Sequence, residues 1–228
     1  MKLSWMAPAC LLLASAAQAA EVSSTIGFTN DYRFRGISQT AGDAAIQGSL
    51  DMFFDNGAYI GVWGSNVDFG DDANLELDWY VGYAGQISET LSYDATLYYY
   101  TYPGYEAADI DYAEVDFNLY YGGFKAEYSY SNDYVNTSET GQYVALDYNT
   151  EVIENLNIDL HAGYSFGDYW DELDIGEYAD YSVGVSSSFA GVDLSVAYLF
   201  NDIDAGMDVD SGAFRNDDTL MLSVFRTF

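Results

Sequence analysis

The sequence predicts an all-β fold, a twelve-stranded antiparallel transmembrane β-barrel of the outer-membrane type. Three features predict it. Runs of about ten to fifteen residues alternate apolar and polar with period two, the connections between them alternate tight and long, and the last residue is an aromatic on an apolar face. Ten strands is the alternative count, should two of the runs be loop.

The chain opens "MKLSWMAPACLLLASAAQAAE". Lys2 supplies a basic start, Met6 to Ala17 an apolar run, and Ala17-Gln18-Ala19 a small-x-small cleavage site. Residues 1–19 are therefore expected to be a secretory signal peptide, too short to span a bilayer as a helix, and 20–228 a single barrel domain. The apolar run follows Cys10 instead of preceding it, which argues against lipidation there. With Cys10 removed no cysteine remains, so no disulfide or thiol chemistry is expected.

The first run, 21–35, sets Val22, Ile26 and Phe28 against Thr25, Gly27, Thr29, Asp31, Arg33 and Arg35. Runs then follow near 43–55, 58–69, 73–86, 90–102, 111–122, 123–133, 141–152, 155–167, 178–189, 191–201 and 217–228. "LELDWYVGY" opposes Leu75, Leu77, Trp79, Val81 and Tyr83 to Glu76, Asp78, Tyr80 and Gly82. "NIDLHAGYSF" opposes Ile158, Leu160, Ala162, Tyr164 and Phe166 to Asn157, Asp159, His161, Gly163 and Ser165. After even runs the turns are tight: Asp55-Asn56-Gly57, Ser88-Glu89, Gly122-Gly123, Glu154-Asn155 and Ala190-Gly191. After odd runs they are long and acidic, as in "PGYEAADI" and "GDYWDELDIG". The last run, "TLMLSVFRTF", puts Leu220, Leu222, Val224 and Phe228 on one face. Arg226 departs from an all-apolar pattern and can snorkel to headgroups. A secreted soluble barrel or sandwich also alternates, and period two does not say which face points in. Strand length, rim asymmetry and the terminal aromatic decide for the membrane.

Composition excludes other classes. Aromatics at 18% argue against the disorder that acidity alone would suggest. A net charge of −31, about −32 once Lys2 is cleaved, repels phosphates and excludes nucleic acid as a partner. A hydrolase site at His161 would need a nucleophile. Ser165 shares its face but is four residues on, about 13 Å along an extended strand, so no enzyme activity is expected. Asp202, Asp204, Asp208 and Asp210 alternate in one loop as oxygen ligands for Ca2+ would. They lack an EF-hand frame and suggest loose divalent binding, and no cofactor is implied. Trp79, Tyr93, Tyr99, Tyr164 and Tyr198 fit an interfacial girdle, whereas Tyr98, Tyr100 and Tyr102 face the lumen, as filler or solute contact.

The lumen face is expected to carry Asp31, Asp51, Glu76, Asp78, Asp94, Glu114, Asp116, Glu127, Asp147, Glu151, Asp159, His161, Asp180 and Asp193. Only Arg33, Arg35 and Lys125 oppose the carboxylates. The two arginines, two residues apart on one strand face, read as counter-charges. They form either one wall of a transverse field across a pore or a salt-bridge plug to the opposite wall.

"DYRFRGIS" at 31–38, "GAYIGVWGSNVDF" at 57–69, "LELDWYVGY" at 75–83 and "YTYPG" at 100–104, in that order and spacing, resemble the TorF family of porin-type proteins, a proteobacterial family of unknown function. The likeness covers Thr25 to Gly104 and continues beyond only as strand rhythm. It implies a Gram-negative outer-membrane barrel that conducts small solutes, with no catalytic residues to carry over.

The expectation is a porin-like channel for passive diffusion of small solutes, cation-preferring because carboxylates dominate the lumen. The alternative is a closed structural or surface-interaction barrel with divalent-binding acidic loops. The barrel is expected to be a monomer, exported through the periplasm to the cell outer membrane, with both termini periplasmic. It would contact outer-membrane lipid and lipopolysaccharide, and the assembly machinery would read it through Phe228.

Overall fold

A computed structural model describes residues 20–173, 175–203 and 212–228. The expected signal peptide lies outside them. Twelve antiparallel strands close into a barrel. They are β1 (Glu21–Thr29), β4 (Ala45–Phe53), β5 (Ala58–Asn66), β6 (Leu75–Gln86), β7 (Leu91–Thr101), β8 (Tyr112–Tyr121), β9 (Phe124–Ser131), β10 (Gly141–Ile153), β11 (Leu156–Phe166), β12 (Tyr178–Phe189), β13 (Val192–Asn201) and β14 (Thr219–Thr227). The two remaining strands, β2 (Arg33–Phe34) and β3 (Ile37–Ser38), pair only with each other. The ten-strand alternative is thereby excluded. The long connections also hold a 3-10 turn, Tyr134–Asn136, and a short helix α1, Asp168–Glu172, neither of them expected from the sequence.

Closure joins the first strand to the last. Thr25 pairs with Thr227, their hydroxyls 2.9 Å apart, and the Phe228 N–H donates to the Ser24 carbonyl at 2.9 Å. Arg226 lies over the Phe228 ring at 4.8 Å. Closure leaves the twelve-stranded wall without an edge strand, the condition for crossing lipid with β-structure.

Burial settles which face points in. On β4, Ile46 is 67% exposed and its neighbour Gln47 is 7% exposed. The same holds around the wall: Val22, Ile26, Leu97, Leu119, Val183 and Leu222 face out, while Glu76, Asp94, Thr96, Glu114, Asp147 and Asp180 are buried inside. Apolar outside and polar inside is the reverse of a soluble sheet protein, and it fits an apolar solvent.

Inward-facing glycines seat lumen rings. Gly163 on β11 sits under Tyr143 of β10, and a Cβ there would collide with the Tyr143 hydroxyl. Tyr143 is buried and reaches His161 Nε2 at 3.0 Å and Asp180 Oδ2 at 3.1 Å. Gly163→Ala is expected to push the ring off both partners and to destabilise the barrel by about 1–3 kcal/mol, the usual range for overpacking. An unchanged urea midpoint in detergent would refute this packing account.

Candidate functional site: the lumen and its plug hairpin

Strand β1 ends at Thr29, six residues before the sequence run does. Arg33 and Arg35 are therefore not on its lumen face. They belong to the β2–β3 hairpin, which turns back into the barrel. The period-two reading failed here because a two-residue strand and its turn continue the same alternation. Arg35 and Gly36 form the tip, with φ of 49° and 82°, positive at both central positions as a type I′ turn requires. The signal was Gly36. Arginine is an uncommon partner in that turn, since a non-glycine residue at positive φ carries strain. A Cβ at Gly36 would lie 2.8 Å from Asp180 Cβ, so the tip abuts β12.

From that tip the Arg35 side chain crosses to β8. Its Nη1 donates to Glu114 Oε2 at 3.0 Å and its Nη2 to Glu114 Oε1 at 2.7 Å. The side chains are 5% and 0% exposed. The guanidinium also lies 4.5 Å from the Tyr143 ring centre and 4.6 Å from that of Phe34. Tyr100 donates to Glu114 Oε1 at 3.3 Å, and Tyr178 donates to the Arg35 carbonyl at 2.9 Å. This is a bidentate, charge-assisted pair, with one further donor on Glu114 from Tyr100.

Arg33 fastens the hairpin base. Its Nε donates to Asp31 Oδ2 at 2.6 Å and its Nη1 to the Arg215 carbonyl at 2.8 Å, tying the base to the β13–β14 connection. Asp31 Oδ1 accepts from Ser38 Oγ at 2.6 Å. Partial burial acts to raise the Asp217 carboxyl, but the Arg215 hydrogen bonds and the charges of Arg33 and Arg215 outweigh it. Asp217 is held below the usual carboxylate range.

Around the hairpin the long connections pack an aromatic cap. Ile37, Tyr100, Tyr112, Tyr134, Trp170, Tyr178 and Ile203 form one buried cluster, with Tyr98 and Tyr102 against it. The lumen tyrosines therefore fill space on this side. Tyr112, Tyr134, Trp170 and Tyr178 escaped sequence reasoning because their roles come from three different loops and strand ends.

Toward the short-turn rim the lumen is polar. Lys125 Nζ meets Glu127 Oε2 at 2.5 Å and Asp147 Oδ2 at 3.8 Å. His161 Nδ1 faces Asp147 Oδ1 at 2.5 Å, and its Nε2 faces Asp180 Oδ1 at 2.9 Å. Asp94 accepts from Tyr59 at 2.5 Å and from Thr96 at 2.8 Å. Asp51 accepts from Ser49 and Tyr80, Asp159 from Asn149, and Asp193 from Ser188. Glu151, expected inside, is exposed at the rim and accepts the Asn155 N–H at 3.0 Å. Glu76, Asp78 and Asp116 form no ion pair among the described residues.

Of the loop aspartates, Asp202 accepts the Ala179 N–H at 2.7 Å, which is a structural role. Asp204, Asp208 and Asp210 lie outside the described residues. Among the described residues no group of three or more His, Cys, Asp or Glu side chains is arranged to hold a metal.

No curated protein matches the chain. Among solved structures the barrel is similar to the KdgM porin, with a TM-score of 0.55 and 8% identity over 91% of this chain and 97% of that one. It is equally similar to the NanC porin, with a TM-score of 0.55 and 8% identity over 91% of this chain and 99% of that one. At such identity the likeness is one of fold, that of outer-membrane porins. The family model described as a bacterial protein of unknown function, Gcw_chp, matches residues 13–228, and the chain belongs to that family.

Proposed function

We propose that the protein is an outer-membrane channel of porin type that passes small solutes with a preference for cations. One observation carries this reading: the lumen face is dominated by carboxylates, and its few cations are already engaged by some of them. A carboxylate-lined wall of low dielectric favours cations. The hairpin and aromatic cap occupy the loop side, so conduction runs through displacement of the hairpin. The TorF-like segments 31–38 and 57–69 support the same reading. So does the girdle of outward aromatics, for a barrel seated in outer-membrane lipid and lipopolysaccharide as a monomer. The exposed Phe228 at the closing seam suits recognition by the assembly machinery.

A closed structural barrel is the second reading, favoured by the burial of Arg35 and Glu114 in the cap. Planar-bilayer recording of the refolded protein decides between them. The channel reading expects discrete steps, with reversal potentials in a KCl gradient displaced toward the K+ value. Silence at every voltage overturns it and leaves the closed barrel.

A further inference from the structure

Arg226 faces out of the barrel. It is exposed, in line with Val224, and its cross-strand partners on that face are Ile26 of β1 and Val192 of β13. Its guanidinium stacks over the Phe228 ring and forms no ion pair among the described residues, with the C-terminal carboxylate or any other. The other described cations are elsewhere: Arg33 and Arg35 in the plug hairpin, Lys125 in the lumen, and Arg215 in a loop, paired with Asp217. On a chain of net charge −31, the described residues of the lipid-facing wall thus include one cation, uncompensated, at the short-turn rim.

The register shows what lies beside it. The outward row that starts at Phe228 continues through Ser24, Leu50, Val62, Trp79 and Tyr99. The neighbouring row runs through Val22, Met52, Ile60, Val81 and Leu97. Along these rows lies an open apolar groove of about 520 Å3. The groove climbs the wall. Val22 and Met52 are one residue from the short-turn ends of their strands, whereas Leu97 is in mid-β7 and Tyr99 is two residues from its loop end. From β1 to β7 is four interstrand steps, about 19 Å at roughly 4.8 Å each. Along a tilted path that crosses one leaflet, half of a hydrocarbon core of roughly 30 Å.

We propose that Arg226, Phe228 and this groove form a binding site for one glycerophospholipid of the periplasmic leaflet. Its phosphodiester sits on the Arg226 guanidinium at headgroup level, and one acyl chain lies along the groove between Ile60, Val62 and Trp79. Charge complementarity argues the headgroup: a planar guanidinium offers parallel N–H donors to two phosphate oxygens. Height argues the leaflet, because Arg226 is at the short-turn rim and lipopolysaccharide phosphates lie at the other. The site rests on the outer-membrane seating proposed above and not on conduction.

The test is native mass spectrometry of the refolded full-length barrel, titrated in detergent with dioleoylphosphatidylglycerol. One lipid is expected to be held ahead of weaker adducts. Dioleoylglycerol, with the same chains and no phosphate, should not displace it. Arg226→Gln should weaken binding roughly tenfold or more, the worth of a charge-assisted hydrogen bond, and Arg226→Lys should weaken it less. Ile60→Phe with Val62→Phe fills the groove, keeps the charge, and should weaken binding too. Leu160→Phe, on the outward face of β11 directly across the ring, should not. Equal binding of dioleoylglycerol, or equal loss from Leu160→Phe, reduces the lipid to general wall contact and overturns the proposal. Those comparisons leave Arg226 intact and hold even if Arg226→Gln fails to fold. An Arg226→Gln barrel that binds lipid as the parent does, yet accumulates poorly in cells, assigns the arginine to assembly and is equally fatal. Folding into phospholipid vesicles, read by heat-modifiable mobility, checks the seating separately: a barrel that folds there without a preferred lipid sinks this site alone.

Discussion

Arg35→Ala is expected to cost the barrel about 3–5 kcal/mol, the range for removing one partner of a buried ion pair. The loss comes less from the missing attraction than from what remains. Glu114 is 1% exposed and would keep its charge among Tyr100, Tyr98 and Tyr112 with one weak hydrogen bond, from Tyr100 at 3.3 Å. The hairpin tip would also lose its cation–π contacts with Phe34 and Tyr143. Glu114→Gln should be similarly harmful, because it leaves the guanidinium buried without its hydrogen-bonded carboxylate. Arg35→Met combined with Glu114→Gln should be milder than either charge-breaking change alone, since no uncompensated charge survives. Urea unfolding in detergent reads all three. On the channel reading the hairpin of Arg35→Ala swings free and single-channel conductance rises, with reversal potentials closer to the K+ value. A variant that melts and conducts as the parent does would show that the Arg35–Glu114 pair is not what holds the hairpin in the lumen.

The barrel itself was legible because its cause is local and repetitive. A strand between lipid and a polar lumen must alternate, so each run declares itself, and Asn-Gly or Gly-Gly marks two of the five short turns. Direction was not legible from alternation alone, since Ile46 and Gln47 alternate identically whichever is inside. Strand length, rim asymmetry and the terminal aromatic pointed the apolar face outward, and the exposure of Ile46 and burial of Gln47 agree. The plug was half legible: a carboxylate-rich lumen demands counter-charges, and Arg35 does meet Glu114. The route was hidden. Placing the arginine on β1 ignored that Gly36 reverses the chain, so the charge arrives from a hairpin tip and not from the wall. Glu114 could not be singled out from the other inward acids, because partners 79 residues apart are brought together only by barrel closure. That Glu76 and Asp78 form no ion pair among the described residues is likewise a property of packing. Their sequence context, an acid on alternate residues, is shared by Glu114 and Asp116.

Leu97→Arg on β7 is expected to destabilise the barrel in phospholipid vesicles by about 2–4 kcal/mol, whereas Phe189→Arg should cost about 0–1 kcal/mol. Both residues are exposed apolar side chains, at 47% and 76%. They differ in depth. Leu97 is in mid-strand, paired with Val81 and Val115 on the outward face, and an arginine there must drag its charge through hydrocarbon. Phe189 ends β12 beside the tight Ala190-Gly191 turn, where a guanidinium can snorkel to the headgroups as Arg226 can on β14. In a soluble barrel the order would disappear: each substitution would exchange an exposed hydrophobe for a charge, within about 0.5 kcal/mol of neutral. The comparison therefore isolates the apolar solvent from the β-fold. Reversible folding into vesicles of fixed thickness provides the readout, and equal costs at the two positions would contradict the membrane orientation assigned to the wall.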